Sequence, residues 1–216
     1  MRQERAEATR QAILDGAAAA FDAGGFGSTS LTDITQHSGV TKGAMYFHFP
    51  SKEALARELM ATQFELLPAG PGGSGPGGLQ GAIDLTHRMA HGLRTSVRMR
   101  AGIRLVIELA SFTEPDPTLY NKWIDTVREL LAHAQGHGDL RAEVHIGDLA
   151  TYIVGAFTGV QITSQVRTSR TDLHERVADL WGWLLPGVVP PRRQSRFTPA
   201  GSEDVWATIK GAPGRD

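Results

Sequence analysis

The chain has 216 residues, with 22 lysines and arginines against 23 aspartates and glutamates, and its formal net charge is −1. A hydrophobic share of 41% is enough for a packed core, so we expect one sizeable domain or two small ones. The chain contains no cysteine and no apolar run as long as a membrane span, which excludes disulfides and thiol chemistry and predicts a cytoplasmic protein without a membrane partner.

The first predicted element is a helix from Arg5 to Ala23. Its apolar residues recur at helical spacing, and a glycine pair stops it: Ile13, Leu14, Ala17 and Phe21, followed by Gly24 and Gly25. We expect this helix to cover the back of the motif that follows it and to complete a three-helix core.

Two short amphipathic helices joined by a glycine turn follow between Leu31 and Phe49. Ser30 and Thr41 are placed to cap them, because their hydroxyls can accept from free backbone N–H groups of a first helical turn. Gly39 lies where the chain must reverse, and glycine adopts the left-handed conformation easily. This layout is typical of a helix-turn-helix, although the pattern alone also fits a surface hairpin whose aromatic residues merely pack.

The second helix of the pair, roughly Lys42 to Phe47, carries residue types that suit DNA. A lysine near the helix start can reach guanine edges or phosphates, a glycine lets the backbone approach the duplex, and a tyrosine hydroxyl can contact phosphate. The candidate residues are Thr41, Lys42, Gly43, Tyr46 and His48. Since acidic residues accompany the few nearby cations, we expect few phosphate contacts per subunit and a need for dimerisation.

The stretch VTKGAMYFHFPSKEAL, residues 40–55, resembles the signature of TetR-type bacterial repressors, and the similarity extends upstream through TRQAILDGAAAAFDAGGFGSTSLTDIT. The resemblance implies an all-α fold, with a helix-turn-helix DNA-binding domain over residues 1–50 and a larger helical ligand-binding and dimerisation domain over residues 51–190. It implies a homodimer on double-stranded operator DNA. It also adds Ser30 to the DNA-binding residues, and Lys52 as a phosphate contact.

The next segment is predicted to connect the two domains. Pro50 ends the second motif helix, and a further helix follows over residues 51–67. The resemblance implies that Gln63, near the end of this helix, faces a ligand cavity. The sequence PAGPGGSGPGG, residues 68–78, has too little apolar content to fold alone and predicts a flexible loop, either a spacer or a lid.

Helical spacing of apolar residues predicts five more helices, at about Leu79–Thr95, Met99–Ser111, Thr118–Gln135, Ile146–Gln165 and Asp172–Leu185. Residues 191–216 are predicted to form an irregular tail, with a short turn near Trp206. The last two helices carry apolar stripes that could simply close the core. The resemblance implies instead that they pair with a second subunit as a four-helix bundle, through Ile153, Phe157, Val177, Leu180, Trp181 and Leu184.

No enzyme constellation is present. The pairs His87/His91 and His133/His137 have the spacing of two metal ligands on a helix, but a convincing third ligand is missing. There is no G-x-S-x-G, and no strand precedes the glycines of the loop. We therefore expect no catalytic residues, no metal and no cofactor.

Among TetR-type repressors, the chain is most similar to the actinobacterial γ-butyrolactone autoregulator receptors. This similarity rests on RQERAEATRQAIL, on residues 40–55, on AGIRL at 101–105, on Trp123, and on GVQITSQ at 159–165. It implies release from a pseudo-palindromic operator by a small lactone-type signal, bound by Gln63, Trp123, Phe157, Thr158 and Val160. Core packing alone would also explain Trp123.

Two other functions stay open. One is a pseudo-receptor or drug-responsive TetR-type repressor that answers to an antibiotic or another hydrophobic ligand. The other, of a different class, is a helical oligomerisation module that does not bind DNA. Sequence-selective, salt-dependent DNA binding would exclude the second alternative.

Overall fold

The computed structural model of the protein describes residues 2–62, 77–109 and 117–211. These residues form helices and contain no strand, which confirms the predicted all-α fold. The elements are α1 (Arg2–Ser28), α2 (Leu31–Ser38), α3 (Lys42–His48), α4 (Lys52–Thr62), α5 (Leu79–Thr95), α6 (Val97–Leu109), α7 (Thr118–Gly136), α8 (Ile146–Thr168), α9 (Leu173–Val188), a 3-10 helix (Pro191–Arg196) and α10 (Glu203–Gly211).

The chain folds into two compact units. The first contains residues 1–66 and 95–116, and the second contains residues 67–94 and 117–216. The first unit thus takes in α4 and α6 as well as the three predicted N-terminal helices. Within the described residues, no helix has both the length and the apolar content needed to cross a membrane.

One hydrophobic core joins the five helices of the first unit. Its buried residues include Ile13, Leu14, Phe21, Ile34, Met45, Phe49, Leu55 and Leu59 from α1 to α4, and Ala101 and Leu105 from α6. Ion pairs reinforce the contact between α6 and α1: Arg98 Nε lies 2.6 Å from Asp15 Oδ1, and Arg100 Nε lies 2.8 Å from Asp22 Oδ2. Helix α6 is therefore an integral wall of the first unit.

Helix α1 is kinked near its end, where the sequence predicted a stop. Gly25 has φ 76° and ψ 178°, and helical geometry resumes as far as Ser28. The Glu108 carboxylate accepts a hydrogen bond from the Phe26 backbone N–H at 2.7 Å. The positive φ of Gly25 is a conformation that favours glycine, and a Cβ there would also push against the Glu108 carboxylate.

The second unit is built from α5 and from α7 to α10. Helices α7 and α8 pack together, and α9 packs on α8. The buried side chains include Ile83, Met89, Leu93, Trp123, Val127, Leu131, Ile153, Phe157, Leu173, Val177, Trp181 and Leu185. Within this core the buried Trp181 indole donates to Thr86 Oγ1 at 2.9 Å, which satisfies both polar groups.

The prediction of an irregular tail is wrong for residues 191–196 and 203–211, which form helices, although a turn near Trp206 was expected. The 3-10 helix and α10 are ordered, and Val205 and Ile209 are buried. The segment before α10 is bound to α5, because Ser202 Oγ and the Ser202 backbone N–H both donate to Asp84, at 2.6 and 2.9 Å. These partners lie 118 residues apart in sequence, so no local pattern could show that the tail docks.

A histidine pair, of which His87 is buried and His174 half-buried, lies beside this docked segment. His87 Nε2 is 2.9 Å from the Pro199 carbonyl oxygen, and His87 Nδ1 is 3.3 Å from His174 Nδ1. Because a carbonyl only accepts, His87 carries its proton on Nε2, and His174 donates to His87 Nδ1. The protein thus occupies both nitrogens of His87, and the described residues contain no group of three side chains able to hold a metal ion.

Stability should fall with acidification because of this pair. Burial, followed by the charges of His87, Arg94 and His91, lowers the pKa of His174 to about 4, and burial also lowers the pKa of His87. An unfolded histidine titrates near 6.5, so the unfolded chain binds more protons between pH 6.5 and 4. The stabilisation by neutral His174 is complete above pH 6.5 and is lost as the pH falls towards 4. Allowing for its partial exposure, we expect a loss of about 2 kcal/mol.

Urea denaturation at pH 7 and pH 4.5 measures this loss. His174→Gln should flatten the pH dependence, whereas His133→Gln, at an exposed position of α7, should leave it unchanged. An unaltered slope in His174→Gln would assign the acid sensitivity to other groups.

Candidate DNA-binding and ligand-binding sites

The predicted caps of the helix-turn-helix are confirmed. Ser30 Oγ accepts from the Asp33 N–H at 3.2 Å, and the Asp33 carboxylate accepts from the Ser30 N–H at 2.7 Å, which completes a capping box at the start of α2. Gly39, with φ 66°, ends α2 in the left-handed conformation. Thr41 Oγ1 accepts from the Ala44 N–H at 3.2 Å and begins α3.

The outer face of α3 is open to solvent. Met45 is fully buried and fixes the inward side of the helix, so Lys42 and Gly43 point outward and are exposed. A Cβ at Gly43 would meet no atom within 4 Å, and the Tyr46 side chain is 45% exposed. His48 is half-buried at the end of the helix. The structure thus brings the predicted α3 residues together on or beside one accessible surface.

Phe47 is an exposed residue of α3 outside the predicted DNA-binding set. Its side chain is 82% exposed, and its ring meets the His48 ring edge-on at 5.2 Å. Phe47 was not among the predicted DNA-binding residues, and the alternative surface hairpin would have packed its ring. Its position two residues from both Met45 and Phe49, which are buried one turn apart, is the signal that places it on the opposite face.

The Lys52 side chain binds backbone carbonyls of its own unit, whereas the resemblance implied a contact with DNA phosphate. Its Nζ donates to the backbone carbonyls of Phe26 at 2.7 Å and Thr29 at 2.9 Å, and lies 4.3 Å from the centre of the Phe26 ring. Both carbonyls lie beyond the kink at Gly25, Phe26 in the last turn of α1 and Thr29 just after it. Lys52 therefore fastens the start of α4 to the end of α1 inside the first unit.

Lys52→Met should lower the free energy of unfolding. The change removes two charge-assisted hydrogen bonds and leaves two carbonyls without this donor, so we expect a loss of about 2 kcal/mol. Chemical denaturation measures it, with Lys42→Met as the matched control, because Lys42 is exposed and should have no such effect. Unchanged stability combined with weaker DNA binding would return Lys52 to the phosphate-contacting set.

The second unit contains an aromatic pair at the predicted ligand site. Trp123 and Phe157 are both buried, and their rings meet edge to face with centroids 5.3 Å apart. The Thr158 hydroxyl donates to the Val154 carbonyl at 2.9 Å, and Val160 lies on the opposite, outward side of α8. Gln63 lies outside the described residues. Among the predicted ligand-binding residues that the structure describes, Trp123 and Phe157 are the pair that it brings into contact.

The outer sides of α8 and α9 form an accessible apolar face within the second unit. Trp183 is 86% exposed and Tyr152 is 60% exposed. A groove of about 620 Å³ runs between the helices, lined by Tyr152, Ala156, Gly159, Val160, Leu180, Trp183, Leu184 and Gly187 along with polar residues. We call this surface the α8–α9 face. Its exposed tryptophan and tyrosine make it a candidate protein interface.

Most of the predicted interface residues do not lie on the α8–α9 face, which corrects the sequence analysis. Ile153, Phe157, Val177 and Trp181 are buried in the core of the unit, and only Leu180 and Leu184 line the groove. Apolar residues surround much of the circumference of α8, so helical spacing identifies two stripes without showing which one turns outward.

A polar cluster closes one end of the α8–α9 face. Asp172 accepts from Ser164 Oγ and Thr168 Oγ1, both at 2.6 Å, and from Arg176 Nε at 3.1 Å. The two hydroxyls, ahead of Arg176, lower the pKa of Asp172 to about 2. The carboxylate is therefore charged at neutral pH and fixes the turn between α8 and α9.

Known proteins match both parts of the chain. Residues 13–59 match the family model for bacterial regulatory proteins of the tetR family, and residues 78–190 match the tetracyclin repressor-like C-terminal domain. The A-factor receptor protein of Streptomyces griseus is 34% identical over 209 residues, which cover 97% of this chain and 74% of that protein.

Solved structures match over nearly the whole length. TylP, a TetR regulator from Streptomyces fradiae, superposes with a TM-score of 0.79 at 36% identity, covering 98% of this chain and 93% of the other. A γ-butyrolactone receptor described as ArpA-like gives a TM-score of 0.74 at 29% identity, with 95% and 98% covered. With its capped helix-turn-helix and its helical C-terminal region both matched, the chain belongs to the TetR family of bacterial DNA-binding transcriptional repressors and is not an enzyme.

Proposed function

We propose that the protein binds a pseudo-palindromic operator as a homodimer and is released from it by a small, mainly hydrophobic lactone-type signal. The observation that carries the proposal is the open outer face of α3, on which Lys42, Gly43 and Tyr46 lie together. TetR regulators bind operator DNA and act as dimers. The similarity to the A-factor receptor and to a γ-butyrolactone receptor supports the class of ligand.

The proposed DNA contacts follow from the chemistry of that face. Lys42 reaches a guanine edge or a phosphate, Gly43 lets the backbone approach the duplex, and the Tyr46 hydroxyl donates to a phosphate. Thr41, Ser30 and His48 lie at the ends of the two motif helices and complete the proposed set. The exposed ring of Phe47 suits apolar contact with a thymine methyl group.

The α8–α9 face supplies the proposed dimer contact. Trp183, Tyr152, Leu180 and Leu184 would be covered by the same face of a second copy, as two-fold symmetry requires. Two recognition helices dock on one face of the duplex when they are about 34–36 Å apart, or a multiple of that distance. The proposed operator is therefore a pair of inverted half-sites with that spacing.

The proposed ligand site includes Trp123 and Phe157. Ligand binding must stabilise a conformation with low operator affinity, and a shift from nearly full to nearly empty occupancy requires about 5.5 kcal/mol of differential affinity. An alkyl chain contributes about 0.8 kcal/mol for each buried CH₂, and only the difference between the two conformations counts. Two ligands per dimer therefore supply this energy more readily than one.

Fluorescence anisotropy with a labelled DNA fragment from beside the gene tests the proposal. We expect sequence-selective, salt-dependent binding, and release when an alkyl γ-butyrolactone is added. Trp123→Ala should bind the fragment normally but remain bound when the lactone is added. Release by antibiotics and not by lactones would favour the pseudo-receptor or drug-responsive alternative, and failure to bind any fragment selectively would refute operator binding.

A further inference from the structure

A buried glutamine lies on the inner side of α8, one helical turn beyond Phe157. Gln161 is 1% exposed. Its Oε1 accepts a hydrogen bond from Arg170 Nη2 at 3.0 Å, whereas its Nε2 is buried and has no hydrogen-bond partner among the described residues. Buried amide groups are normally paired, so this donor requires an explanation.

The orientation of the Gln161 amide is fixed by its neighbour. A guanidinium has only donors, so the amide must turn its oxygen towards Arg170 and cannot exchange its two ends. Arg170 is itself anchored, since it is buried and its backbone N–H donates to the Ser164 carbonyl at 3.2 Å. The Nε2 group is therefore held as a donor that faces away from Arg170.

An aromatic pair lies one helical turn from this donor. Phe157, on the same buried side of α8, contacts Trp123, and sites for small molecules are mostly apolar with a few placed polar groups. Thr158, one of the predicted ligand-binding residues, gives its hydroxyl hydrogen bond to the Val154 carbonyl in its own helix. Gln161 is thus the better placed donor.

We propose that Gln161 Nε2 donates a hydrogen bond to the carbonyl oxygen of the ligand, while the apolar part of the ligand packs against Trp123 and Phe157. Arg170 acts as a positioning residue, because its hydrogen bond to Gln161 Oε1 fixes the orientation of the amide. The ligand class is an uncharged carbonyl compound with an apolar substituent, because the amide N–H needs an acceptor and the aromatic pair needs apolar surface. This inference rests on the proposed lactone response.

Gln161→Glu is the sharpest test, because it keeps an oxygen for Arg170 and replaces the donor with a second oxygen. The probes are an alkyl γ-butyrolactone and the matching alkyl tetrahydrofuran, which has the same ring and chain but no carbonyl. Binding is followed by calorimetry and by operator release. The wild type should prefer the lactone by about 10-fold or more, and Gln161→Glu should lose this preference while still binding the operator.

Two further variants make the outcome decisive. Gln165→Glu introduces the same charge at an exposed position of α8 and should keep the preference for the lactone. Gln161→Met removes both polar atoms at similar length and should behave as Gln161→Glu does, even if the latter folds poorly. An undiminished preference in the Gln161 variants overturns this inference alone, whereas a wild-type protein that binds neither probe overturns the proposed lactone response as well.

Discussion

Trp183→Glu should convert the dimer into monomers and thereby abolish operator binding. Trp183 is the most exposed large apolar side chain among the described residues, and it lies beside Leu180 and Leu184 on the α8–α9 face. In a two-fold interface each substitution acts twice, and truncating a tryptophan anchor costs about 2 kcal/mol or more. We therefore expect the dimer dissociation constant to rise by about 1000-fold, before the cost of burying a carboxylate is added.

Analytical ultracentrifugation across a concentration series measures this change, and the anisotropy assay then reports operator binding. Thr126→Glu introduces the same charge on the exposed side of α7 and should leave the dimer intact. Far-ultraviolet circular dichroism should show the same helix content in both variants. A Trp183→Glu protein that sediments as the wild-type dimer would place the interface elsewhere.

Lys42→Ala should weaken operator binding by about 100-fold or more in the dimer, because each of two recognition helices loses an interaction worth about 1–3 kcal/mol. Lys42 is exposed at the start of α3, and its substitution should not change the stability of the first unit. Ligand affinity, measured by calorimetry, should be unchanged. Lys122→Ala, on the exposed side of α7, is the matched control.

The salt dependence identifies the partner of Lys42 on the DNA. If the lysine pairs with a phosphate, the slope of log affinity against log salt should become shallower by about 0.9 for each phosphate that is no longer neutralised, and binding to random DNA should weaken in parallel. If it pairs with guanine, discrimination between operator and random DNA should fall instead. Unchanged binding on both DNAs would remove Lys42 from the proposed DNA-binding residues.

The sequence predicted most of the helix-turn-helix because its determinants are local. Ser30 and Thr41 cap helices that begin one residue later, and Gly39 ends α2 through its own backbone conformation. These features depend on residues three or four positions apart, so they can be predicted from the local sequence. The same holds for the bounds of α5, which match the predicted range.

The features that the sequence did not predict depend on packing between segments that are distant in the chain. The outward side of α8 could not be deduced, because both of its sides are rich in apolar residues and only the fold shows that Phe157 turns inward and Val160 outward. Lys52 fits a phosphate contact equally well until Phe26 and Thr29 are known to lie beside it. The free donor of Gln161 appears only when Arg170 is known to hold its oxygen.

Because α6 completes the core of the first unit, the N-terminal helices cannot be separated from it. Ala101 and Leu105 complete a core whose other members come from residues 2–62, and the chain reaches them only after it has formed α5 in the other unit. A fragment that ends at residue 62 would lack this wall and the ion pairs of Arg98 and Arg100, and would expose to water the part of α1 that packs against α6. Residues 2–62 therefore do not form a complete folding unit. A chimaera that uses the DNA-binding helices of this protein must also include residues 97–109.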